Sequence, residues 1–330
     1  CDSMATDGTM RSPEFIRLSF SNAQKMRAAA SWNFAQVNNQ GNEPWRKSDV
    51  TGLWTGNPSV SPVVSKYMTS LKRRKVQSGE VANSTRAITP AILERIYDFM
   101  HADGRSHIQP FGARKEKKWE GPRMRALCWL AYLLAFHCLL RVDEVVNIQV
   151  HEVRVHDSQP EVIVVTLPFR KTHQNGHIQP FCLWMMPEED QHLCPVRAYA
   201  RWVELSGLKE GYLFRKVDVN DRADFCDYQT SSELLEMFRN HLLDVNVDPY
   251  PYGTHSFRRG GCQYLHYCRR WTIGEICQWG GWSIEFSSLT IVKYLISPND
   301  SPRVDRMDFF NPNRPLQLKC PYCGRSCNCA

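Results

Sequence analysis

No stretch of this chain is long and apolar enough to span a bilayer. The longest apolar run, residues 126–140, contains His137 and is bounded by Arg125 and Arg141. A spanning helix needs about 20 apolar residues, so the run reads as a buried core helix and no membrane partner is expected. No signal-peptide pattern opens the chain, and it holds no internal repeat or low-complexity tract. Without a secretory signal, most of the 13 cysteines are expected to be reduced core thiols. The chain opens on Cys1 rather than Met, as a fragment or processed product would. Acid is scarce in the first part. Residues 1–130 hold 20 Lys+Arg against 11 Asp+Glu, a balance of +9, while residues 131–330 hold 21 against 23, a balance of −2. Such asymmetry points to a polyanionic partner, and nucleic acid is the default over the weaker candidate, an acidic membrane surface.

What is there is enough for two domains, since 330 residues can bury two cores. Residues 21–37 have helix-forming composition and carry Lys25 and Arg27. A turn-rich stretch follows. Ser61-Pro62 then opens a helix with proline at its first position, running into Lys72-Arg73-Arg74-Lys75. Residues 77–86, QSGEVANSTR, read as a linker. Thr89-Pro90 repeats the cap-and-proline signal before ITPAILERIYDFM, whose apolar residues fall at helical spacing. After the core helix comes EVIVVTL, rich in β-branched residues, and then HIQPFCLWMM. The Asn175-Gly176 pair between them predicts a β-hairpin with Arg170 and Lys171 near its tip. The remainder reads as helices and loops. The expected fold class is mainly α with a small β-hairpin or sheet.

Six residues stand out: Arg141, Lys171, His255, Arg258, Trp282 and Tyr294. Each has an ordinary structural reading by itself, such as a helix-terminal cation, a solvated lysine or a core aromatic. Their joint chemistry is that of metal-free phosphodiester cleavage. Two arginines can clamp non-bridging phosphate oxygens in bidentate fashion and stabilise the charge that develops there. A tyrosine hydroxyl can attack phosphorus. A histidine can take the tyrosine proton, and a lysine can protonate the leaving oxygen. An indole N–H adds a further donor. No cofactor is needed.

This ordered set resembles the tyrosine recombinase, or phage integrase, family. LLRVDEVVNI, holding Arg141, is similar to the family's first-arginine motif, with Glu144 as an orienting acid. Lys171 in RKTHQNG matches the hairpin lysine. THSFRRGG supplies the H-x-x-R as His255 and Arg258, and Arg259 is left as a bystander or backbone-phosphate contact. Trp282 in WGGWS takes the position that is His or Trp in the family, and Tyr294 in IVKYL matches the nucleophile. The Trp282–Tyr294 interval is longer than is usual in the family. The resemblance implies a helical DNA-clamping domain over residues 1–85, an α+β catalytic domain over 86–300, and a tail over 301–330. THSFRRGG, GGWS and DFFNPNRP are similar to eukaryotic transposon recombinases of the fungal crypton and giant-element captain types. The implied activity is cleavage and rejoining of double-stranded DNA through a 3′-phosphotyrosine, which mobilises an element by excision and integration. Strand exchange needs two duplexes, so a tetramer on synapsed DNA is implied. Two alternatives stand beside this reading: a domesticated, non-catalytic DNA-binding protein on the same fold, and a type IB topoisomerase, which shares the chemistry. The intact residue set favours an enzyme, and the compact length favours a recombinase.

Other features carry separate expectations. LKRRKV, with Lys72, Arg73, Arg74 and Lys75, fits a nuclear localisation signal or phosphate contacts, so a nuclear location is expected. Lys25 and Arg27 are further candidate DNA contacts. The tail's Cys320, Cys323, Cys327 and Cys329 include one CxxC pair suited to zinc, but the second pair is too tightly spaced for a usual partner. DVNDRADFCD lacks the glycine and final glutamate of a calcium loop and reads as a solvated acidic loop.

Overall fold

Proline or threonine stands at most of the helix starts in this computed structural model, which describes residues 2–5, 7–12, 14, 17–37, 39–80, 85–102, 121–168, 178–218, 221–282, 290–296 and 300. The chain divides into two compact units, Cys1–Asn83 and Ser84–Ala330. In the first, α1 (Phe20–Gln36) and α2 (Pro62–Gln77) pack side by side. Ser61 caps α2 by accepting from the Val64 amide at 3.3 Å, and Pro62 opens it. Between the helices lies a short antiparallel ribbon, β1 (Arg46–Lys47) with β2 (Trp54–Thr55). The core is a thin seam of Ala23, Met68 and Leu71, backed by Phe20 and Val64.

The second unit is built around α4. Thr89 caps α3 (Pro90–His101), accepting from the Ile92 amide. In α4 (Pro122–His137), every residue from Leu127 to His137 is buried. The expected core helix is therefore in place, and burial on all its faces explains why its sequence shows no polar stripe. Leu139 adopts φ 52°, a left-handed conformation that costs a branched residue about 1 kcal/mol. This turn stops α4 and leads into α5 (Val142–Val146).

A three-stranded antiparallel sheet follows, in the order β3 (Val153–His156), β4 (Gln159–Val165), β5 (Phe181–Trp184). Its β4–β5 register pairs Val165 with Phe181 and Val162 with Trp184. The hairpin-tip residues Arg170 and Lys171 lie outside the described residues, as do the tail and its four cysteines. Next come α6 (Pro195–Ser206) and a second ribbon, β6 (Arg215–Val217) with β7 (Ala223–Tyr228). The unit ends with α7 (Ser231–Asp244), α8 (Ser256–Gln263), α9 (Ile273–Gly280) and α10 (Thr290–Leu295).

The stretch DVNDRADFCD is not the solvated loop the sequence predicts. Its residues Ala223–Asp227 make up most of β7. Asp221 is buried, and its carboxylate accepts from the Arg123 and Met124 amides at 3.0 Å each. Those amides belong to the first turn of α4, whose N-cap Gly121 offers no side chain. A carboxylate brought from far along the chain therefore does the work of a local cap, at the positive end of the helix dipole.

Candidate active site

Four segments deliver five of the expected side chains to one place. Arg141 sits at the N-terminus of α5. Its own amide donates to Glu144 Oε2 at 2.8 Å, and its Nη1 lies 3.4 Å from Glu144 Oε1. His255 and Arg258 stand at the start of α8. Gly281, at φ 64°, ends α9 in the left-handed region and turns Trp282 inward, with the Trp282 amide donating back to the Cys277 carbonyl at 2.8 Å. Tyr294 comes from α10.

The two glycines that end THSFRRGG fix how closely α8 can pack. A Cβ on Gly260 would collide with the Ile88 carbonyl, and one on Gly261 with the Phe136 carbonyl. Backbone thus meets backbone, which only glycine permits. The Ile88 amide also donates to the Ser256 carbonyl at 3.1 Å.

Arg258 is the centre of the cluster and has no solvent exposure. Its guanidinium lies 4.7 Å from the Trp282 ring centroid and 5.2 Å from that of Tyr294. Its Nη1 is 3.6 Å from Glu144 Oε2. Glu144 therefore stands between both arginines, holding two like charges near each other before any anion arrives. The rings of Trp282 and Tyr294 are 5.2 Å apart, and those of His255 and Tyr294 are 6.5 Å apart and tilted by 25°.

Burial pushes the His255 pKa below its usual 6.5, and the Arg258 and Arg141 charges push the same way, against a smaller opposing pull from Asp143 and Glu144. The imidazole is therefore neutral at pH 7 and able to accept a proton. His255 Nδ1 and Trp282 Nε1 are buried and find no hydrogen-bond partner among the described residues. Leaving such groups unpaired costs about 1–3 kcal/mol each, so either atom gains from a hydrogen-bonding partner. Lys171 lies outside the described residues. Among the described residues no group of three or more His, Cys, Asp or Glu could hold a metal ion.

The basic residues expected to meet DNA divide into two kinds. Lys25, Lys72 and Arg73 are exposed. Arg27 is turned inward, its Nε donating to the Ser59 carbonyl at 3.0 Å and its Nη2 to Ser65 Oγ at 2.9 Å. Arg74 pairs with the buried Asp2 at 2.5 Å, and Lys75 lies 3.5 Å from Glu80. Arg259, expected as a bystander or a backbone-phosphate contact, is turned away from solvent. It is buried, with Nη2 2.6 Å from Asp300 Oδ2. Sequence reasoning missed Asp300 and Gln263, which join Arg259 behind Tyr294. The one available signal was the i, i+4 spacing of Arg259 and Gln263 on a helix.

No protein-family model matches the chain, and no curated protein does. Solved structures do. The XerH site-specific recombinase bound to palindromic difH substrate, a post-cleavage complex, superposes with a TM-score of 0.51 at 12% identity, covering 84% of this chain and 64% of that one. The pre-cleavage XerH complex with difH gives 0.50 at 11% identity, covering 88% and 64%. The chain thus spans 64% of the length of these structures. At this identity the likeness is one of fold, and the fold is that of the tyrosine recombinases.

Proposed function

We propose that this protein is a site-specific DNA recombinase acting through a covalent 3′-phosphotyrosine. The observation that carries the proposal is the convergence of His255, Trp282 and Tyr294 on Arg258, with Glu144 between Arg258 and Arg141, and with two buried polar atoms that find no hydrogen-bond partner among the described residues. Arg141 and Arg258 hold the scissile phosphate, with Trp282 Nε1 as a further donor. The Tyr294 oxygen attacks phosphorus, the bond to the 5′ oxygen breaks, and neutral His255 receives the tyrosine proton. Lys171 gives a proton to the departing 5′ oxygen, which leaves as a hydroxyl. Rejoining reverses these steps, so no external energy source enters.

Several finer readings extend this one. Residues 1–85 clamp the duplex, as their positive charge and the exposed Lys25, Lys72 and Arg73 support. Strand exchange proceeds in a tetramer on synapsed duplexes. The substrate is the end of a transposable element of the crypton or captain type, excised and inserted in the nucleus. The test is a nicked suicide substrate bearing the element's end, incubated without divalent metal. A covalent protein–DNA adduct is expected, and Tyr294→Phe removes it. Absence of adduct from the wild-type protein on cognate DNA overturns the enzymatic reading.

A further inference from the structure

Two consecutive arginines on α8 face different tasks. Arg258 lies among Glu144, Trp282 and Tyr294, where the phosphate is proposed to bind. Arg259 addresses the backbone of the nucleophile's helix instead. Its Nη2 reaches the Tyr294 carbonyl at 3.5 Å and Asp300 Oδ2 at 2.6 Å, and its Nη1 donates to the Thr85 carbonyl. One helical turn on, Gln263 Nε2 lies 2.8 Å from the same Asp300 oxygen, 3.2 Å from the Leu295 carbonyl and 3.4 Å from the Tyr294 carbonyl. Asp300 Oδ1 also accepts from the Ala87 amide at 3.2 Å.

These contacts fall on the last carbonyls of α10, which no intrahelical amide can satisfy. A six-residue helix is too short to hold itself together, because nucleation is costly and few bonds follow. Arg259 also places positive charge at the negative end of α10. The side chain of Tyr294 is held from the front by rings and its main chain from behind by α8.

We infer that Arg259, Gln263 and Asp300 form a clasp that positions Tyr294 for attack, fixing α10 to the helix that carries the phosphate-binding Arg258. They are positioning residues and touch neither phosphate nor the attacking oxygen. The inference rests on the recombinase reading for its catalytic meaning. Phosphate and nucleophile are referenced to one rigid element, and α8 is itself seated backbone-to-backbone through Gly260 and Gly261.

The experiment compares wild type with Gln263→Ala, Asp300→Asn and the conservative Asp300→Glu in the full chain. Amide exchange is read without DNA, and single-turnover cleavage and DNA affinity are read on the suicide substrate. Gln263→Ala and Asp300→Asn are expected to speed exchange over residues 291–296 while α4 stays protected. Cleavage should fall about a hundred-fold, the cost of a misplaced reacting group, with DNA affinity within about two-fold of wild type. Asp300→Glu should recover part of the rate. Unchanged exchange over residues 291–296 overturns the clasp, whether or not the wild type cleaves. So does wild-type cleavage by Gln263→Ala, or an equal loss of protection in α4, which would mark general destabilisation. No wild-type adduct would sink the recombinase reading instead, while exchange still decides the clasp.

Discussion

Residues 84–330 are organised around a helix buried on every face, whereas the core of residues 1–83 is a seam of Ala23, Met68 and Leu71. Charge follows the same divide. The larger unit keeps Arg258 and Arg259 fully inside, each beside a carboxylate. A thick apolar surround makes such pairs strong and fixes their geometry, and that suits chemistry. The smaller unit has no interior of that depth among its described residues. It ties some arginines to its own carbonyl, hydroxyl and carboxylate groups and leaves Lys25, Lys72 and Arg73 in solvent. Exposed charge acts through its field and through counterion release, and that suits binding without fine geometry.

The contrast is most sharply broken at α8. Gly261→Ala puts a methyl group into the Phe136 carbonyl and should destabilise the larger unit by about 3 kcal/mol. A thermal melt should show this transition moving alone, with that of residues 1–83 in place. A smaller effect comes from acid. Burial pushes the pKa of His137 down to about 4, while the unfolded chain binds this proton near 6.5. Between those values the unfolded state takes up a proton that the native state refuses. Stability should therefore be level above pH 6.5 and fall below it, by up to about 1.4 kcal/mol per pH unit. Urea midpoints at pH 7 and 5 measure it. Residues 1–83 contain no histidine and should lack this histidine term. The smallest change in folding comes from Lys72→Ala or Arg73→Ala, within about 0.5 kcal/mol. Each should lower the salt dependence of DNA binding by about one ion. Arg27→Ala should do the reverse, loosening the smaller unit and leaving the salt slope alone. An equal slope change for Arg27→Ala and Lys72→Ala, in a titration from 50 to 200 mM salt, would erase the distinction between tied and free cations.

The helix starts were legible because their signals are local. Thr89-Pro90 and Ser61-Pro62 cap and open helices within four residues of chain. Arg141, His255, Arg258, Trp282 and Tyr294 were legible through their order along the chain, and the structure brings them together. Asp221 was not, because its partners at the start of α4 lie about a hundred residues away and acid-rich turns usually face water. The inward turn of Arg27, Arg74 and Arg259 was hidden for the same reason. A basic residue looks alike in sequence whether it meets a phosphate or a carboxylate of its own chain, and only the packing of distant segments decides. The clasp escaped notice because Gln263 and Asp300 carry no chemistry of their own.

The glycine pair at the end of THSFRRGG has a consequence for anyone who would redesign this protein. A site whose reach is set by side chains can be retuned by exchanging them one at a time. Here the spacing between α8 and its neighbours is set by the absence of side chains, so it has a floor and no dial. Side chains around the cluster can be exchanged, but a side chain at either glycine fits only if α8 moves away from Ile88 and Phe136. The positions least open to engineering are thus two residues with no side chain to exchange.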